Sequence, residues 1–97
     1  MSAERPAGQA FPDADTASLY STIAMFILPR LKRFKEMNGG YPANSTEEAW
    51  GADLDKMIRA FHLTTIEDED GGLTEEQYAE IDAGLCVFAE HYRELWR

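Results

Sequence analysis

Three stretches of this 97-residue chain repeat their apolar residues at steps of three and four, and no stretch alternates them with a period of two. Leu19, Ile23, Phe26, Ile27, Leu31 and Phe34 make the first set, and Trp50, Leu54, Met57, Ile58 and Phe61 the second. The third runs Tyr78, Ile81, Leu85, Phe88, Tyr92 and Leu95, at steps of 3, 4, 3, 4 and 3. Such steps return a residue to the same side of a helix on each turn, whereas a half-buried strand needs strict alternation. An all-α fold follows, and 97 residues suffice for one domain with a single modest core, burying roughly 60 to 65% of the unfolded chain's surface. The predicted architecture is a small helical bundle of three principal helices over residues 15–97. Residues 1–14, rich in Ala, Pro and Gly and without periodicity, are expected to be a disordered arm.

The boundaries are set by local chemistry. Asp15 or Thr16 is positioned to cap the first helix, and Asn38-Gly39-Gly40 is a strong C-terminal stop. Pro29 falls inside it, where the missing amide and the crowding of the Met25 carbonyl predict a kink, or even a division at Leu28. Tyr41-Pro42-Ala-Asn makes a rigid turn. Ser45 and Glu48 then read as a capping box opening a helix from about Thr46 to about Leu63. An acidic link, Thr64 to Leu73, leads to a second box, Thr74 with Gln77, and to a third helix expected to run to the C-terminus. Its apolar residues form a narrow seam fit to pack along the first two helices or along a symmetry mate.

Charge is unevenly placed. The net charge of −9 divides into −1 over residues 1–59 and −8 over residues 60–97, with no Lys or Arg between Arg59 and Arg93. That field repels nucleic acid and anionic membrane. The longest apolar run, Ile23 to Leu28, cannot span a bilayer, and the N-terminus does not have the form of a signal peptide. A single cysteine, Cys86, excludes an internal disulfide. The expectation is a cytoplasmic protein that binds neither membrane nor nucleic acid directly.

Patterns that could carry chemistry fail on inspection. With Gly71 as the sixth position of a calcium loop, Asp68 and Asp70 fit, but Ile66 replaces the first ligand and Gln77 the bidentate glutamate. Glu76 with Glu80 and Glu90 with Glu94 have the spacing of magnesium-binding carboxylate pairs, but both pairs lie on one helix, away from its apolar seam. Cys86 and His91 stand about 140° apart around that helix and form no nucleophile and base pair. Cys86 is expected to be a small buried or half-buried thiol, and His62 a helix-end group. No catalytic residue, metal ligand or cofactor is assigned, and an enzyme is not expected.

What remains is a basic and aromatic constellation. Six of the nine basic residues, Arg30, Lys32, Arg33, Lys35, Lys56 and Arg59, fall between Leu28 and Phe61. Those in the last turns of the first helix suit its macrodipole, a purely structural role. Arg30, Arg33, Lys35 and Lys56 beside Tyr41 and Trp50 also have the composition that recognises an anionic ligand, with an aromatic ring for a base and cations for phosphate. Trp50, in the first turn of a helix, is equally suited to anchor the core.

The residues that carry a resemblance are Phe26-Ile-Leu-Pro-Arg-Leu-Lys-Arg-Phe-Lys35, Gly40-Tyr-Pro42, Trp50, Leu54-Asp-Lys-Met-Ile58, Ala60-Phe61, Gly84-Leu85, Phe88-Ala89, Tyr92 and Leu95-Trp96. From about residue 19 to the end the chain resembles a family of small bacteriophage-encoded proteins. The resemblance implies an accessory product acting in the cytoplasm of an infected bacterium, against host processes. One reading is a helical homo-oligomer that sequesters an anionic small ligand, such as a nucleotide immune messenger, at Arg30, Arg33, Lys35, Tyr41, Trp50 and Lys56. A second is an interaction inhibitor whose acidic surface, Glu67 to Asp82, docks on a basic host protein active in defence or nucleic-acid binding. A third is a structural or assembly helper. Homo-oligomerisation is expected because one small core does not cover the apolar face around Ile23 to Leu28.

Overall fold

A computed structural model describes residues 10–37, 40–67 and 71–96. These form one short helix, α1 (Ala14–Ala17), and three long ones, α2 (Leu19–Glu36), α3 (Glu47–Thr65) and α4 (Glu75–His91), followed by a 3-10 turn at Tyr92–Glu94. No strand occurs among the described residues, so the all-α bundle of three main helices holds. Residues 1–9 of the expected arm, the Asn38-Gly39 stop and residues 68–70 of the acidic link lie outside the described residues.

α2 runs unbroken through Pro29, whose ring faces solvent; the interruption falls instead at Ser18, whose non-helical backbone (φ −126°, ψ 68°) separates α1 from α2. The first helical turn starts at Ala14, ahead of the Asp15 or Thr16 cap expected, through hydrogen bonds donated by the Asp15 amide to the Pro12 carbonyl and by the Thr16 amide to the Asp13 carbonyl. Met37 ends α2 in an extended conformation while its amide still bonds the Arg33 and Phe34 carbonyls.

The cap of α3 is Thr46, whose hydroxyl accepts from the Ala49 amide at 3.1 Å; Ser45 donates only to the Thr46 carbonyl. The expected Ser45 and Glu48 box does not form: the cap moves one residue on to Thr46, which has extended cap geometry, and Ala49 three residues later has no side chain to close a box. The box of α4 forms as read: the Gln77 amide donates to the Thr74 hydroxyl at 3.1 Å, and the Thr74 amide to Gln77 Oε1 at 2.8 Å.

α3 is the central element. α2 and α4 each pack antiparallel to it and not on each other, giving a body of 53 × 35 × 20 Å, thin in one direction. Leu54, Met57, Ala60 and Leu63 of α3 are fully or almost fully buried, with Trp50 and Phe61 close behind. Onto them fold Ala24 and Leu31 of α2, flanked by Ile27, Leu28 and Phe34, and Val87, Phe88 and Leu95 from the C-terminal part of the chain. Phe88 sets its edge against Phe61 at 5.2 Å between centroids, and Tyr92 against Phe88 at 5.6 Å.

Two expectations about α4 need correction. It does not run to the C-terminus: His91 leaves helical geometry (φ −107°, ψ 9°), and the chain turns so that Leu95 reaches the core. Nor is the Tyr78 to Leu95 set a buried seam, because Tyr78, Leu85 and Tyr92 are exposed and the one fully buried position is Gly84. Without a Cβ, Gly84 lets α4 settle directly onto the Lys56 carbonyl and Ala60 of α3. That approach sets the rotation of α4 and turns three of the six seam residues aside. Among the described residues no helix is long and apolar enough to cross a membrane.

Candidate functional site

Because α2 and α4 meet α3 but not each other, a groove opens between them where their N-terminal halves pass the C-terminal half of α3. Phe61 and Thr64 of α3 form its floor, with Glu67 at one end. Tyr20 and Ile23 of α2 stand on one side, and Tyr78, Ile81 and Leu85 of α4 on the other. Its volume is about 370 Å³ and its walls are overwhelmingly apolar. The Thr64 hydroxyl donates to the Ala60 carbonyl at 3.0 Å, so it is spent within its own helix. The Tyr78 phenol donates to Glu67 Oε2 at 3.0 Å, which holds a carboxylate at the mouth.

The apolar surface continues beyond the groove. Leu19, Ile23 and Phe26 lie within about 60° of one another around α2, and all three are half-exposed or more. Leu85 of α4 and Tyr92 just after it are exposed as well. Neither stretch of sequence that borders the groove contains a cation, since no Lys or Arg occurs between Arg5 and Arg30 or between Arg59 and Arg93. Exposed acids do occur there: Glu75 and Asp82 flank the Tyr78, Ile81 and Leu85 wall within about 90° around α4, whereas Glu76 falls on the opposite side, and Glu80 pairs with Arg59 of α3 at 2.9 Å.

The six residues expected at an anion site are not drawn together. Trp50 is 4% exposed and belongs to the core. Arg30 donates to the Phe26 carbonyl at 2.8 Å and lies 3.8 Å over the Phe26 ring. Arg33 pairs with Glu36 at 3.5 Å, and Lys35 with Asp55 of α3 at 2.6 Å. Tyr41 is exposed in the α2–α3 link. Lys56 sits on the α4 side of α3, its carbonyl against Gly84.

The sequence did not point to His91, and its surroundings make it the most engaged titratable group described. Nε2 lies 3.1 Å from Asp53 Oδ2 on α3 and 3.7 Å from Glu90 Oε1, and Nδ1 lies 2.6 Å from Glu94 Oε1. The ring meets Trp50 edge-on at 5.1 Å. The hydrogen bond to Glu94, followed by the charges of Asp53, Glu94 and Glu90, raises the imidazole pKa above its usual 6.5 against the opposing effect of burial. Glu90 and Glu94 beside a lone histidine were visible in the sequence; Asp53 was not, because only packing brings it near. Its carboxylates address two different ring nitrogens, and among the described residues no group of three or more His, Cys, Asp or Glu side chains could hold a metal ion. Cys86, expected buried or half-buried, is exposed on the outer side of α4.

Set against protein-family models, curated proteins and solved structures, the chain has no match.

Proposed function

We propose that this is a non-enzymatic protein-interaction module, an accessory product of bacteriophage type acting in the host cytoplasm, which binds a basic host protein through the face of α2 and α4. The observation that carries this reading is the apolar groove lined by Glu67, with the exposed acids Glu75 and Asp82 flanking its α4 wall. Apolar area supplies affinity, and an acidic rim selects a cationic partner and speeds encounter.

Sequestration of an anionic small ligand is the second reading, and one observation favours it. Arg30 and Arg33 are exposed on α2 and held only by contacts within their own helix. Exposed pairs of this kind contribute about 0–1 kcal/mol and yield to a phosphate. The burial of Trp50 and the position of Lys56 leave that reading without a converged pocket.

Two variants separate the readings. Affinity capture of bacterial proteins with Glu75→Lys/Asp82→Lys should lose the partner that wild type retains, while Arg30→Glu/Arg33→Glu should keep it. The reverse pattern would replace the protein partner by an anionic ligand.

A further inference from the structure

The groove is open, apolar along its walls and about two helical turns long. From Tyr78 to Leu85, its α4 wall covers seven residue steps, about 10 Å at a rise of about 1.5 Å per residue, or two turns. α2 and α4 run parallel to each other and antiparallel to α3: Lys35 meets Asp55 while Ile23 stands by Phe61, and His91 meets Asp53 while Tyr78 meets Glu67. A rod laid between them would touch Ile23 on one side and Ile81 and Leu85 on the other, with Phe61 beneath, and would turn a three-helix layer into a four-helix bundle.

Polar chemistry argues against a small-molecule occupant. Such sites rely on several convergent donors and acceptors. Here the Thr64 hydroxyl is spent on Ala60, and the Tyr78 phenol and the Glu67 carboxylate bond each other at one end. An apolar helix face, with side chains at i, i+3 or i+4 and i+7, needs no more than that.

Charge decides which helix. Glu67 lines the groove, Glu75 and Asp82 flank its α4 wall, and no Lys or Arg occurs in residues 6–29 or 60–92. A second copy of this chain placed groove to groove would bring the same acids face to face, which is unfavourable. A cationic segment would be attracted. The fixed Glu67 carboxylate would also receive a lysine, an arginine or the free amides of a helix N-terminus.

We propose that the groove between α2 and α4 seats a short amphipathic helix of the partner protein, two to three turns long, apolar on one face and rich in lysine or arginine on the other. This rests on the interaction-module reading and specifies the partner element that reading leaves open.

The test is fluorescence anisotropy with three labelled 18-residue peptides. One is an amphipathic Lys/Leu helix, one a Lys/Ser peptide of equal charge and length, and one an amphipathic Glu/Leu helix. Wild type should bind the Lys/Leu peptide at least tenfold more tightly than either other, with a gain in helical circular dichroism. Ile81→Glu/Leu85→Glu on one wall and, independently, Ile23→Glu on the other should each weaken that binding at least tenfold with unchanged urea midpoints. If both cationic peptides bind alike and the groove variants bind normally, the groove is not the seat, and the acidic-surface reading alone survives. Equal binding of Lys/Leu and Glu/Leu helices would overturn the cationic requirement. A protein that sediments as a dimer and is made monomeric by Ile81→Glu/Leu85→Glu would mean that a second copy fills the groove. If neither cationic peptide binds, this inference and the reading beneath it both fall.

Discussion

Gly84 of α4 lies so close to Ala60 of α3 that a Cβ built on it would stand 2.5 Å from the Ala60 Cβ, and closer still to the Lys56 carbonyl oxygen. Part of the obstacle is backbone, so no rotamer change relieves it, and α3 and α4 must separate to admit a methyl group. Gly84→Ala is therefore expected to destabilise by about 1–3 kcal/mol, although alanine is the better helix former by about 1 kcal/mol. Thermal unfolding should show it as a fall of roughly 4–8 °C per kcal/mol. A melting temperature at or above wild type would contradict so close an approach.

The two capping threonines should each matter while their neighbour does not. Thr74→Ala and Thr46→Ala remove hydroxyls that accept from Gln77 and Ala49 amides, and each should cost about 1 kcal/mol in urea unfolding. Ser45→Ala should be close to neutral, because Ser45 caps nothing. A larger loss at Ser45 than at Thr46 would restore the earlier helix start.

Stability should decline as pH rises through the His91 titration. The folded pKa lies above 6.5, raised first by the Glu94 hydrogen bond and then by Asp53, Glu94 and Glu90. The stabilisation is therefore complete below the unfolded value of about 6.5 and is lost as pH passes the folded value. Urea midpoints should fall between pH 6 and pH 9 for wild type, and His91→Gln should flatten that part of the profile. A wild-type profile that rises over the range would reverse the assignment.

Trp50 should report the core by fluorescence. With Trp96→Phe, which removes an indole 75% exposed, the remaining emission should be blue-shifted and should move red on unfolding. Trp50→Ala should cost about 3–5 kcal/mol. Trp50→Phe should cost much less, since the indole N–H is buried without a partner among the described residues and its loss forfeits no hydrogen bond. Red-shifted emission from the Trp96→Phe protein would place Trp50 at the surface.

Cys86 should react in the folded state. Being exposed on α4, it should take one equivalent of a maleimide under native conditions at a rate within a few-fold of the urea-unfolded chain. Protection by orders of magnitude would show that face to be covered.

Much of the fold was legible because its causes are local. Each long helix was marked by its own three- and four-residue apolar spacing, and the Thr74 and Gln77 box forms between residues three apart. Periodicity also identified Trp50, Leu54, Met57, Ile58 and Phe61 as one face of α3; Ile58 is partly buried and the other four are buried. The candidate site was far less legible. Arg30, Arg33, Lys35, Tyr41, Trp50 and Lys56 were linked by composition, which does not say which side of a helix meets a neighbour.

The sequence by itself determined that there would be three long helices, where most of them begin and end, and that acidic charge would gather in the C-terminal third. These follow from bonds and spacings within a few residues. Tertiary structure decided the rest: that Gly84 rather than Leu85 meets α3, that Tyr78, Leu85 and Tyr92 stay at the surface, that His91 finds Asp53, and that α2 and α4 leave a groove between them. Each depends on the distance and rotation between helices, and those are set by contacts between residues far apart in the chain, the absent Cβ of Gly84 first among them.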